Sequence, residues 1–130
     1  MTEAFRIEDA ASTHVGHVRQ ENEDSLLAAP QSGLWLVADG MGGHANGQFA
    51  SRTIVAAFDG LALPDTIEDA CDAVAGAVHA ANGRIYSHSL EAGAQMGSTF
   101  VALVVRGHEF AVLWAGDSRA YVYRNGHLIL

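Results

Sequence analysis

Residues 99–130 have the sequence TFVALVVRGHEFAVLWAGDSRAYVYRNGHLIL, and this stretch decides the fold class. Strands are predicted at Thr99–Val105, Phe110–Ala115, Ala120–Arg124 and His127–Leu130. The first two are apolar runs of strand length joined by Arg106–Glu109, which predicts a β-hairpin. The last two flank Asn125-Gly126, the strongest short signal for a hairpin turn. This end of the chain is therefore predicted to be antiparallel sheet.

Further strands are predicted nearer the N-terminus. Leu34–Ala38 is almost wholly apolar, whereas Arg6–Ser12 and Ser25–Ala28 show weaker strand patterns. A strand with no polar side is expected to be covered on both faces. The apolar strands therefore predict a sheet with one layer packed on each side of it.

Two amphipathic helices are predicted between the strands, at about Gly47–Leu61 and Thr66–Leu90. Asp65 or Thr66 is expected to cap the second helix, and Gly93 is expected to end it. Cys71 lies on the apolar stripe of the second helix, which favours a core residue over a reactive thiol.

The order of elements is strands, two consecutive helices and then strands, without strict alternation. This order argues against a doubly wound parallel sheet and favours an α+β fold. We expect an antiparallel sheet with the helical pair packed on one face and a second sheet covering the other face.

The composition excludes several classes of protein. The 130 residues fit a single domain, and the net charge of −8 argues against nucleic acid as a main partner. One cysteine excludes an internal disulfide bond. The absence of a long apolar run and of a signal-peptide pattern predicts no membrane segment and a cytoplasmic location.

The segment Leu36–His44 carries the clearest chemical signal, because a buried strand ends in Asp39 and a turn with three glycines follows. A rigidly held carboxylate and exposed carbonyls supply the hard oxygen ligands that suit magnesium or manganese. The alternative is a glycine-rich turn in which Asp39 only caps the following helix. This segment alone leaves both interpretations open.

Two other segments have weaker signals of the same kind. Residues 16–24 contain an arginine and three acids, which form either a phosphate clamp with metal ligands or a solvated loop. Asp117 follows a buried strand as Asp39 does, and the alternative there is a hairpin turn. Gly97-Ser98-Thr99 is expected to have a structural role at the start of a strand.

Together these segments resemble the type-2C, metal-dependent Ser/Thr protein phosphatases (the PPM family) in their bacterial form. Five stretches in the family's order carry the resemblance, which extends over residues 12–130: Gly16-x-x-Arg19-x-x-Asn22-Glu23-Asp24, residues 37–44, residues 45–51, Gly97-Ser98-Thr99 and residues 115–121. The resemblance implies a four-layer α-β-β-α sandwich of antiparallel sheets flanked by helix pairs. It also implies that residues 1–130 are the N-terminal part of one phosphatase domain.

The resemblance also implies the ligands of a binuclear Mn²⁺ or Mg²⁺ centre. By position, Asp39 would bridge the two ions and Gly40 would offer its carbonyl to one of them. Glu23 would bind a metal directly or through water, and Asp24 would order a bound water. Asp117 would help to hold a third, weaker ion.

The implied activity is hydrolysis of phosphoserine and phosphothreonine by a metal-activated water, with Arg19 holding the phosphate. The implied partners are proteins that a cognate Ser/Thr kinase has phosphorylated. Where some relatives have a histidine after the Asp-Gly pair, this sequence has Met41, so the resemblance leaves the general acid open.

The family domain continues past a position such as Leu130, with Asp-Gly and Asp-Asn motifs that complete the metal site, and no acidic residue follows Asp117 here. The sequence is therefore interpreted as an incomplete domain, whose isolated activity stays open. A second hypothesis is a non-catalytic phosphoprotein-binding or regulatory remnant of the same fold. A third is a dimer that pairs through exposed strand edges.

Overall fold

The computed structural model describes residues 6–16 and 22–130. Its elements are β1 (Asp24–Ala29), a 3-10 turn (Pro30–Ser32), β2 (Leu34–Met41), α1 (His44–Ala56), α2 (Ile67–Ala92), β3 (Gly97–Ser98), β4 (Phe100–Arg106), β5 (Glu109–Ala115), β6 (Val122–Arg124) and β7 (His127–Ile129). The predicted α+β class, with antiparallel pairing and two consecutive helices, is confirmed.

The main sheet has the strand order β1-β2-β4-β5, and every pairing in it is antiparallel. The short strand β3 extends the pairing of β2 beyond β4. Both predicted hairpins are present, as β4–β5 and β6–β7. Asn125 and Gly126 have φ angles of 52° and 79°, the left-handed values that a two-residue hairpin turn needs.

Both helices pack on one face of the sheet and form the core with it. The buried apolar side chains come from β2, α1, the turn after α1, α2 and β4: Leu34, Leu36, Ala38, Ala50, Ile54, Phe58, Ala70, Val74, Ala81, Ile85, Phe100, Ala102 and Val104. The Thr66 side chain caps α2 by accepting a hydrogen bond from the amide of Asp69 at 3.1 Å. Gly93 ends α2 with a φ of 63°, as predicted.

Helix α1 begins and ends earlier than the pattern from Gly47 to Leu61 predicts. The turn after Ala56 keeps the side chain of Phe58 buried, so the apolar periodicity continues beyond the helix, whereas Leu61 is exposed. Cys71 is half-buried and free, so the prediction of a core residue holds only in part.

The prediction of a strand at Arg6–Ser12 is wrong. Within the described residues this segment is exposed and joins no sheet, so its backbone has no neighbouring strand to complete the hydrogen bonds that a strand needs. Its side-chain contact with the sheet is a 2.7 Å hydrogen bond from Trp35 Nε1 to the carboxylate of Asp9.

The sheet face opposite the helices is only partly covered. Strand β4 is largely buried, but Val37 of β2 and both Phe110 and Trp114 of β5 are exposed. The layer predicted over this face is therefore not supplied by residues 6–16 and 22–130. No helix in that described part is long and apolar enough to cross a membrane.

Candidate active site

The predicted acidic segments meet at one end of the sheet. Asp24, the first residue of β1, lies directly opposite Asp39 near the end of β2. The shared register of β2 with β3 and β4 places Thr99 opposite Asp39. The register of β4 with β5 then places Gly116 opposite Thr99. A single row across the sheet thus joins segments that are far apart in the sequence.

Asp24 and Asp39 form a carboxylate pair. Residues directly opposite one another in antiparallel strands share a face, with Cβ atoms about 4.5–5.5 Å apart, and like charges at such positions are destabilising. Asp24 is exposed and Asp39 is half-buried. Two adjacent carboxylates at an accessible end of a sheet suit a hard divalent cation that offsets their repulsion.

The backbone of Asp39 is held by Thr99. The amide of Thr99 donates to the carbonyl of Asp39 at 2.9 Å, and the amide of Asp39 donates to the Thr99 hydroxyl at 3.2 Å. Gly43, which has no side chain, is the N-cap residue of α1. The N-cap position itself is therefore occupied by Gly43 and not by Asp39.

Glu23 approaches the first turns of α1. Its carbonyl accepts a hydrogen bond from the amide of Gly40 at 3.0 Å, and the residue is 8% exposed. A Cβ atom on Gly47 would lie 2.6 Å from Oε1 of Glu23, and one on Gly40 would overlap the carbonyl oxygen of Gly47. The two glycines thus let the helix, β2 and the Glu23 carboxylate meet closely.

The turn between β2 and α1 needs the glycines that the sequence offers. Gly42 and Gly43 have φ angles of 128° and 73°, which side chains rarely adopt. A Cβ atom on Gly42 would also lie 2.8 Å from the carbonyl oxygen of Gln95. The turn therefore fixes how the end of β2 leads into the helix.

Asp117 lies in the loop after β5 and is exposed. The next residue, Ser118, shares a 2.6 Å hydrogen bond between its hydroxyl and that of Thr99. A hydrogen bond to the Tyr121 hydroxyl, with a smaller contribution from Asp117, raises the pKa of Arg119 above its ordinary value.

The predicted residues do not all converge into one ligand set. Within residues 6–16 and 22–130, no group of three or more His, Cys, Asp or Glu side chains is close enough to hold a metal ion. The strand register brings Asp24 and Asp39 together, and Asp117 lies in the loop that contacts Thr99 through Ser118. Arg19, the predicted phosphate ligand, lies outside the described residues.

Thr99 and Gly47 are site neighbours that the sequence patterns did not reveal. Thr99 was expected only to help start a strand, and Gly47 only to begin a helix. Their contacts with Asp39 and Glu23 depend on strand register and helix placement. The signal in the sequence is Gly47, because helix propensity disfavours a glycine within a helix. Thr99 gives no such signal, because threonine is common in strands.

The fold and the carboxylate pair define a class of α+β proteins with hard oxygen donors at one end of an antiparallel sheet. The sequence profile described as Protein phosphatase 2C (PP2C_2) matches residues 13–129. The serine/threonine protein phosphatase PstP of Mycobacterium tuberculosis is 40% identical over 124 residues, covering 92% of this chain and 23% of that protein. The chain therefore belongs to the protein phosphatase 2C family.

Solved structures support the same assignment. PppA, described as a key regulatory component of T6SS in Pseudomonas aeruginosa, is 42% identical with a TM-score of 0.88; the match covers 92% of this chain and 52% of that one. The catalytic domain of PstP in complex with two manganese ions is 37% identical, with a TM-score of 0.81. The match covers 92% of this chain and 52% of that one. The chain thus spans about half the length of these structures.

Proposed function

We propose that the domain containing this chain is a metal-dependent protein phosphatase that hydrolyses phosphoserine and phosphothreonine. The observation that carries the proposal is the Asp24–Asp39 pair, in register at the end of the sheet in a chain of the protein phosphatase 2C family. The proposed substrates are proteins that a Ser/Thr kinase has phosphorylated.

The donors at this end of the sheet fit part of a Mn²⁺ or Mg²⁺ site. Carboxylates and a main-chain carbonyl are the hard ligands that both ions prefer. In the proposal Asp39 would bridge two ions, Gly40 would offer its carbonyl, and Glu23 and Asp24 would bind metal or hold metal-bound water. Asp117 would hold a third, weaker ion. Two such ions supply a nucleophilic water near neutral pH when they are bound.

The residues of the chain orient this chemistry. Thr99 makes two hydrogen bonds to the backbone of Asp39, so the main chain that carries this carboxylate is fixed. Asp24 presents acceptors beside it for hydrogen bonds from water. We assign Arg19 the role of binding the phosphate oxygens, because a guanidinium group donates two hydrogen bonds in a planar arrangement.

The test is hydrolysis of a phosphothreonine peptide with manganese or with a chelator, using the chain and its Asp39→Asn variant. We expect manganese-dependent turnover that falls at least about 100-fold in Asp39→Asn, because a neutral amide cannot bridge two cations. Asp59→Asn, an exposed acid after α1, is the matched control and should behave as the unmodified chain does. Equal turnover of Asp39→Asn would contradict the proposal.

The second candidate is a non-catalytic phosphoprotein-binding or regulatory module. It is favoured by the lack of a three-ligand cluster within residues 6–16 and 22–130. The same assay separates the two. Saturable binding of the phosphopeptide by a folded chain, without turnover in manganese, would support this candidate and overturn the first.

A further inference from the structure

We propose that Thr99 is a positioning residue whose hydroxyl ties the Asp39 end of β2 to the loop Gly116–Ser118. The observation is a run of two hydrogen bonds through one oxygen atom. Thr99 Oγ1 accepts from the amide of Asp39 at 3.2 Å and shares a 2.6 Å hydrogen bond with Ser118 Oγ. This inference rests on the proposed function only for the statement that Asp39 and Asp117 bind metal.

The tie lies at an interruption of the sheet. β3 ends at Ser98 and β4 begins at Phe100, so Thr99 belongs to neither strand although it lies opposite Asp39. The carbonyl of Thr99 accepts a 2.8 Å hydrogen bond from the hydroxyl of Ser98. The side chain of Thr99 thus makes polar contacts where the regular ladder stops.

The loop after β5 is shaped to receive Thr99. Gly116 lies opposite Thr99, with a φ of 96°. A Cβ atom on Gly116 would lie 2.5 Å from Cγ2 and 2.9 Å from Cβ of Thr99. The γ-methyl group of Thr99 therefore fills the space that the glycine leaves, and the same close approach brings Ser118 within hydrogen-bond distance.

Burial makes these bonds effective. Thr99 is 6% exposed, so water has little access to its hydroxyl. A buried amide that loses its acceptor is costly because water does not replace it. Removal of the hydroxyl should loosen both the amide of Asp39 and the loop that carries Asp117, although no charge changes.

The consequence for function is a fixed relation between two proposed metal-binding segments. Residues directly opposite one another in antiparallel strands share a face, so the side chains of Asp39 and Thr99 lie together. Asp117 follows the glycine that packs on Thr99. One hydroxyl thus holds the backbone of Asp39 and the loop that carries Asp117 in one arrangement.

The first test measures the amide hydrogen exchange of Asp39 by NMR, without metal. Thr99→Val keeps the shape and removes the hydroxyl, Thr99→Ser keeps the hydroxyl, and Ser118→Ala removes only the outer half of the tie. Thr53→Val is the matched control, since Thr53 makes a 2.6 Å bond to the carbonyl of Phe49 within α1. The amide of Leu36 in the same strand serves as the internal reference.

We expect exchange at Asp39, relative to Leu36, to rise about tenfold or more in Thr99→Val, from the lost hydrogen bond, and to stay near the original value in Thr99→Ser and Thr53→Val. Ser118→Ala, which leaves the buried pair intact, should speed exchange in the Gly116–Ser118 loop. Equal acceleration at Leu36 and Asp39, or no change at Asp39, would overturn the inference.

The second test measures Mn²⁺ affinity by calorimetry, together with kcat and KM. Thr99→Val should weaken Mn²⁺ binding about tenfold and lower kcat more than it raises KM, and Thr99→Ser should restore both. Unchanged Mn²⁺ affinity in Thr99→Val would overturn the positioning role. If the unmodified chain neither binds Mn²⁺ nor turns over, the proposed function fails, whereas the exchange result still decides whether Thr99 ties the two segments together.

Discussion

At the scale of single residues, the close approaches around Glu23 and Thr99 show how little space the site leaves. Gly47 and Gly116 have no side chain at points where a Cβ atom would meet the Glu23 carboxylate or the Thr99 methyl group. Close neighbours explain why these positions are glycine, because helix propensity alone would disfavour Gly47 within α1. Substitution at these positions therefore probes the site more than it probes the helix or the loop.

The first prediction at this scale concerns Gly47→Ala. Alanine should stabilise an exposed helical position by about 0.5–1 kcal/mol, but the new methyl group at Gly47 would force Glu23 to move. We expect Gly47→Ala to lower the free energy of unfolding by about 1–3 kcal/mol, measured by urea denaturation. Gly76→Ala in α2, where a Cβ atom meets nothing within 4 Å, should raise it. Stabilisation by both substitutions would contradict this prediction and show that the Glu23 side chain moves aside without a cost in stability.

At the scale of elements, hairpins and helices follow local rules, whereas pairings between distant segments do not. The Asn125-Gly126 turn and the α2 boundaries could be predicted because a few adjacent residues determine them. The prediction of a strand at Arg6–Ser12 was wrong, because a strand needs a neighbouring strand and no local pattern shows whether one is present.

The same distinction applies to the site. The sequence predicted that Asp39 and Asp117 follow buried strands, since apolar runs ending in Asp are visible locally. The strands are present, but β2 continues past Asp39 to Met41, and β5 before Asp117 has no fully buried residue. It did not predict that Asp24 lies opposite Asp39, or that Thr99 lies between Asp39 and Ser118. These contacts depend on sheet register across the whole chain, which only the folded structure specifies. The sequence also did not show that the N-cap residue of α1 is Gly43.

The prediction at this scale concerns the start of α2, a helix of 26 residues. Thr66 accepts a hydrogen bond from the amide of Asp69, and Glu68 and Asp69 place negative charge at the positive end of the helix dipole. Thr66→Ala should lower the free energy of unfolding by about 1 kcal/mol, measured by urea denaturation, and Thr66→Ser should largely retain it. An equal loss in both variants would mean that the methyl group, not the cap, is what matters.

At the scale of the whole molecule, helices cover one sheet face, whereas the other, here called the open face, is apolar and only partly covered by residues 6–16 and 22–130. Val37, Val101 and Trp114 lie directly across three neighbouring strands on the open face, and Val37 and Trp114 are exposed. The chain also carries 15 acidic residues against seven arginines and no lysine. Association between copies of the chain is therefore favoured by the apolar face and opposed by charge repulsion.

The last prediction concerns salt. A net charge of −8 on a small chain destabilises the compact state through self-repulsion, which dissolved salt screens. The ion pair Arg6–Glu8 is largely exposed, so screening it should cost little. Raising NaCl from about 0.02 M to about 0.5 M should increase the melting temperature by about 2–6 °C, measured by calorimetry. Light scattering at each salt concentration provides the control, because association through the open face would also raise the melting temperature. A constant mass with an unchanged or lower melting temperature would show that ion pairs outweigh the net repulsion.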